Sequence, residues 1–175
     1  MDILENYDVR LIRLTEDKIE MVRNWRNDPK ISQYMEYRET ITPEMQAKWF
    51  ESINNNDNLY YIIEFKGEEI GLINIKDIDN INKTGESGVF IYSDKYLNTD
   101  ISYRAHLILF DYYFIDLCYC ELHAHILESN KRASRFVEFL GYKKVDATTF
   151  TLQGDDYLTN KNRLRFIKKY EMLKK

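Results

Sequence analysis

Apolar and polar residues alternate over Asp8-Val-Arg-Leu-Ile-Arg-Leu14, the period of a strand with one buried face. Thr15-Glu16-Asp17 then offers a cap and first-turn acids. Ile19, Val22 and Trp25 follow at spacings of three, a helix that Asp28-Pro29 ends. Thr42-Pro43-Glu44 opens a second helix with proline at its first position, and Met45, Trp49, Phe50 and Ile53 form its apolar side. The polar run from Asn54 to Asn58 is a loop.

Tyr60 to Phe65 and Ile70 to Ile75 flank Lys66-Gly67-Glu68, which predicts a hairpin. Asp77 to Gly85 reads as a second loop, and Glu86 to Tyr92 as a fourth strand. Apolar residues at 101, 105, 108, 109 and 112 predict a helix from Ile101 to Ile115. Leu122, Ala124 and Ile126 then alternate with His123, His125 and Leu127 as a strand. Ser129 or Asn130 can cap a helix carrying Ala133, Phe136, Val137 and Leu140, and Gly141 stops it where a left-handed residue is needed. Lys144 to Leu152 reads as a strand, Gly154-Asp155 as a turn, and Arg163 to Leu173 fits either strand or helix. Three consecutive strands in the middle make this an α/β or α+β layered fold, not a doubly wound one. That order alone fits several mixed folds.

Composition narrows the class. A chain of 175 residues is long enough for one cored domain, expected to span residues 1–175. A balance of 25 Lys and Arg against 29 Asp and Glu gives a net charge of −4, so no basic face for nucleic acid is expected. The 14 tyrosines suit pockets lined for polar ligands. Cys118 and Cys120 fall in a helix-to-strand turn with no second pair to complete a metal site, and read as reduced, half-buried thiols. No leader or membrane-length apolar run is seen, so a cytoplasmic protein is expected.

Leu127-Glu-Ser-Asn-Lys-Arg-Ala133, then Arg135-Phe136 and Leu140-Gly-Tyr142, resemble the second half of the GNAT superfamily, the acetyl-CoA-dependent N-acyltransferases. The resemblance implies a mixed, mainly antiparallel sheet of six or seven strands flanked by about four helices. It implies acetyl-CoA as acyl donor. The pantetheine would lie along Phe90, Ile91 and Tyr92, and the pyrophosphate at the turn Asn98, Thr99, Asp100, Ile101 and Ser102, with Asn130, Ala133 and Arg135 completing the site. Amides at a helix N-terminus suit phosphate. The family expects Arg or Gln, two residues, Gly, any residue, and Gly or Ala in this turn. Here Asp100 would repel a pyrophosphate unless it points away, and the same residues also suit a plain helix start.

Direct acyl transfer needs a base for the ammonium and donors for the thioester oxygen. Glu86, acting through water, is the first candidate base; a surface strand Glu is the plainer alternative. His125, which shares a strand face with His123, is the second, against a sheet-surface role. Asn130 matches the family residue that contacts cofactor or a water, and also suits a cap. The family's leaving-group acid, a Tyr seven residues after that Asn, is replaced by Val137, although a thiolate can leave without it.

Asn24-Trp-Arg-Asn-Asp-Pro29, Ile31, Tyr34-Met35, Ile41-Thr-Pro-Glu44, Trp49-Phe50 and Ile53 resemble the branch acting on nucleotide-linked amino sugars and ribosomal-protein N-termini. The expectation is therefore an N-acetyltransferase of a small-molecule amine, such as an amino-sugar nucleotide, with core packing the plainer role for both tryptophans. A catalytically degenerate GNAT-shaped binding module and a protein N-terminal acetyltransferase are the alternatives. A free sheet edge also offers a homodimer contact.

Overall fold

The structure, a computed structural model, describes residues 1–174. Among them, eight strands form one sheet in the order β1-β2-β3-β4-β5-β6-β8-β7. They are β1 (Ile3–Asn6), β2 (Val9–Arg13), β3 (Leu59–Phe65), β4 (Glu68–Asp79), β5 (Thr84–Ile91), β6 (Glu121–His125), β7 (Lys143–Lys144) and β8 (Thr149–Gln153). All neighbours are antiparallel except β5 and β6. The helices are α1 (Ile19–Asn27), α2 (Pro29–Ser32), α3 (Pro43–Ile53), α4 (Ile101–Asp111), α5 (Lys131–Leu140), α6 (Gly154–Leu158) and α7 (Lys161–Leu173). This is the mixed, mainly antiparallel layered fold that the sequence predicts, with one strand and three helices more.

Strand alternation sorts the core into two layers. Val9, Leu11, Tyr61, Ile63, Ile73, Ile75 and Ile91 face α4 to α7 in the larger cluster. Tyr60, Ile62, Leu72, Phe90 and Tyr92 face α1 and α3, where Trp25 is buried against Val22 and Phe50. Helix α4 buries most of its surface, with Leu107, Leu109 and Phe110 fully inside.

Several expected boundaries move, each for a local reason. The first strand is preceded by β1, unforeseen in so short and acidic a segment. Asp28 ends α1 and its carboxylate accepts from the Lys30 amide at 3.0 Å, so Pro29 starts α2 as well as stopping α1. The expected loop from Asp77 is shorter, because Asp77 takes a left-handed φ of 52° and the ladder resumes beyond it; Asp79 closes the turn by accepting from the Ile81 and Asn82 amides. The α4 segment ends in a wider turn over Tyr112–Asp116. The expected strand from Lys144 to Leu152 is a hairpin, and Gly154-Asp155 is the first turn of α6 rather than a loop. Arg163 to Leu173 is helical, as part of α7. Both cysteines lie in the predicted turn but are exposed, not half-buried. No helix among the described residues is long and apolar enough to cross a membrane.

Candidate active site

Strands β5 and β6 run parallel for only three register pairs, Thr84 with Glu121, Gly85 with Leu122 and Glu86 with His123. Beyond them each strand keeps its outer partner, β5 with β4 and β6 with β8, while their facing edges part. The result is a wedge inside the sheet, closed at Ser87 and His123 and open beside α4, within a cavity of about 830 Å³. Gly88, Val89, Phe90 and Ile91 line one wall, and Ala124 to Leu127 the other. Open strand edges present both N–H and C=O groups, so this wall suits an extended molecule containing amides.

The open end meets the start of α4. The amides of Ser102 and Tyr103 have no partner within the described residues, so they are free to hold an anion. Asp100 does not spoil this site. Its carboxylate is turned onto Arg104 at 3.0 Å, and the same guanidinium reaches Asp8 at 3.4 Å. It also makes no side-chain cap; the Thr99 hydroxyl accepts from the Ile101 amide instead, at 3.4 Å. Thr99 and Ser102 line the cavity, whereas Asn98 and Asp100 are exposed and turned out of it, and Ile101 is packed into the core.

Asn130 caps α5, accepting from the Ala133 amide at 3.1 Å, and it lines the cavity with Ala133 and Arg135. The expected cap is therefore in place. Arg132, one residue before Ala133, donates to the Leu97 carbonyl and ties α5 to the turn before α4. Gly141 has a φ of 109° and stops α5 as predicted, with Tyr142 N–H bonding back to the Val137 carbonyl at 3.0 Å. The chain then carries Tyr142 beneath the wedge, where its hydroxyl lies 2.6 Å from Ser87 Oγ. Burial pushes the Tyr142 phenol up from its ordinary range.

On the opposite face, Glu86 is half-buried and paired with Lys76 at 3.1 Å, one register pair below the point where the strands part. It does not itself line the cavity. His123 meets Glu121 at 3.0 Å, and His125, which does line the cavity, meets Glu36 at 3.0 Å. Tyr92 lies outside the cavity wall as a platform, stacked on Trp25 at 5.3 Å, with Lys30 Nζ 3.9 Å from its ring centre. Asp94 lies 3.4 Å from the same ammonium. Of the expected residues, Phe90, Ile91, Thr99, Ser102, His125, Asn130, Ala133 and Arg135 are thus brought to one cavity.

Sequence reasoning missed Ser87, Lys30, Arg132 and His106. The last lines the cavity, is 3% exposed and has its Nδ1 2.6 Å from the Ser102 carbonyl. Burial pushes it down to about 4, against the opposing carbonyl bond, so it is neutral. Because a carbonyl only accepts, Nδ1 carries the proton and Nε2 is a bare acceptor. Its only trace in the sequence is a polar residue on a helix otherwise apolar there.

An open wedge between two parallel strands of a mainly antiparallel sheet, with unpartnered helix amides at its mouth, suits an extended amide-containing molecule that ends in an anionic group. The family model described as "Acetyltransferase (GNAT) domain" matches residues 8–143, and the chain belongs to that family. It is an N-acetyltransferase with acetyl-CoA as co-substrate. It is 22% identical over 139 residues to the spermidine N(1)-acetyltransferase of Escherichia coli (strain K12), covering 79% of this chain and 69% of that one. The spermidine N-acetyltransferase of Vibrio cholerae, solved with CoA and spermine, superposes with a TM-score of 0.73 at 16% identity, over 88% of this chain and all (100%) of that one. A dodecameric structure of the Vibrio enzyme gives 0.71 at 17% identity, over 89% of this chain and 99% of that one. These relatives are named for spermidine, not for the amino sugars or ribosomal proteins that the N-terminal segment led us to expect.

Proposed function

We propose that the chain acetylates a primary amine of a small, flexible polyamine by direct transfer from acetyl-CoA. The observation carrying this reading is Lys30: a primary ammonium already rests on the Tyr92 ring beside the Asp94 carboxylate at the cavity rim. That is the chemistry a polyamine needs, and the naming of the spermidine relatives supports it. In this reading Glu86, through water, or His125 would take the ammonium proton, and Phe90, Ile91, Thr99, Ser102, Asn130, Ala133 and Arg135 would hold the donor. The reading takes residues 1–175 as one unit, since β1 and β8 lie outside the matched segment yet pair into the same sheet. It places the protein in the cytoplasm, as an oligomer formed from copies of itself.

A nucleotide-linked amino sugar is the second reading, favoured by Arg26. This half-buried guanidinium stacks on Trp49 at 4.8 Å and, among the described residues, bonds only to Gln46, at 3.2 Å, with no carboxylate partner. It would suit an acceptor phosphate. Assaying CoA release with spermidine, spermine and amino-sugar nucleotides separates the two. The proposal expects kcat/KM for spermidine at least tenfold above the sugars, and the reverse order selects the second reading. CoA binding without turnover of any amine, N-terminal peptides included, would leave a binding module.

A further inference from the structure

The family's usual proton donor to the departing sulfur is missing at Val137, and the closed end of the wedge holds another hydroxyl. We infer that Ser87, set by Tyr142, donates the hydrogen bond that stabilises the CoA thiolate as it leaves. The inference rests on the wedge being the seat of the donor.

With the phosphates at the start of α4, an extended arm would pass Ile91 and end near Ser87, four residues down the strand. At about 3.3 Å per residue that is roughly 13 Å. Ser87 points to the α4–α5 face, toward Tyr142, which belongs to the same buried cluster as Val137. The other hydroxyls lining the cavity are elsewhere: Thr99 and Ser102 at the opposite end, Tyr34 on the exposed segment after α2. His106 cannot supply a bond there, since its one proton is committed to the Ser102 carbonyl.

The direction of the Ser87–Tyr142 bond follows from what each group has left. Tyr142 is 4% exposed and its hydroxyl has no other partner among the described residues, so donating to Ser87 is its way to avoid a buried, unused proton. Ser87 then has its own proton free. Within the protein that proton finds only the His123 carbonyl, at a long 3.3 Å. A sulfur anion at the closed end is a better acceptor, and a hydrogen bond that Ser87 already receives strengthens the one it gives.

In the reaction the amine lone pair forms the C–N bond and the C–S pair stays on sulfur. One proton leaves the ammonium before attack. A second leaves the nitrogen afterwards and reaches the thiolate through solvent. Ser87 keeps its proton throughout and carries no charge.

The test is the ionisation of the thiol of bound CoA, followed by thiolate ultraviolet absorbance from pH 6 to 10. Ser87→Ala should raise that midpoint by about one unit, a tenfold loss of thiolate stabilisation. Tyr142→Phe should raise it by less, and Ser87→Thr should restore the native value. The kcat with acetyl-CoA should follow the same order, with KM for acetyl-CoA within about twofold. CoA bound by Ser87→Ala with an unchanged midpoint overturns the assignment. No CoA binding by the native protein overturns the reading of the wedge itself. If Ser87→Ala does not fold, an unshifted midpoint in Tyr142→Phe rejects the inference equally.

Discussion

His106 makes the stability of this protein depend on pH in a way that one substitution should remove. Its ring is buried between Phe110, at 5.3 Å, and Phe136, at 5.1 Å, with no charged partner shifting it. Folding lowers its affinity for a proton, from an ordinary value of 6.5 to about 4. Between those values the unfolded chain binds the proton and the native one does not, so stability rises with pH across that window and is level above it. At about 1.4 kcal/mol per unit, the full window is worth about 3 kcal/mol, lost as pH falls from 6.5 to 4. The assay is urea unfolding at several pH values for the native protein and His106→Phe. Phe lacks the bond to Ser102 and starts at a lower stability, but it also lacks the titration. The difference between the two curves should therefore shrink toward acid by about that amount. Curves that stay parallel from pH 6.5 to 4 would refute the argument, because every other acid titrates in both proteins.

Three further substitutions test the local geometry. Asp100→Asn should change acetyl-CoA affinity in calorimetry by less than about threefold, since the carboxylate is already held by Arg104. Arg104→Ala should weaken it by about tenfold, more at low salt, by releasing that charge beside the phosphate seat; equal effects from both would show Asp100 facing the ligand. Gly141→Ala should cost about 2 kcal/mol or more in urea unfolding, because φ is 109° and the added Cβ would lie 2.9 Å from Asn160 Nδ2. A loss below about 0.5 kcal/mol would contradict the left-handed stop.

The elements legible in the sequence are those where one residue has one role. Thr42 accepts from Met45 N–H, Asn130 from Ala133 N–H, and Gly141 takes the left-handed turn, all at the positions their types indicate. Legibility fails where a residue does two things. Asp28 and Pro29 signal the end of α1, and nothing in the pattern says that the same pair starts α2. The site is harder for a different reason. Asn130, Ala133 and Arg135 are marked by side chains, but the wedge is made by hydrogen bonds that two strands do not form, and no residue type encodes an unmade bond. Asp100 misleads because its neutralising partner is a turn further on, in Arg104, and Ser87 is silent because its meaning depends on Tyr142, 55 residues away.

A wedge closed at one end is also a ruler. With the donor seated as proposed, an arm threaded between β5 and β6 would stop where Glu86 and His123 pair, so the reach from the amides of α4 to that stop would select for one length of donor arm. A thioester on a shorter arm would stay among Phe90 and Ile91, away from Glu86, and one on a longer arm would have to buckle. Such a seat would tell one thioester carrier from another by distance along a strand, fixed by backbone pairing, since every acyl-CoA shares the same arm.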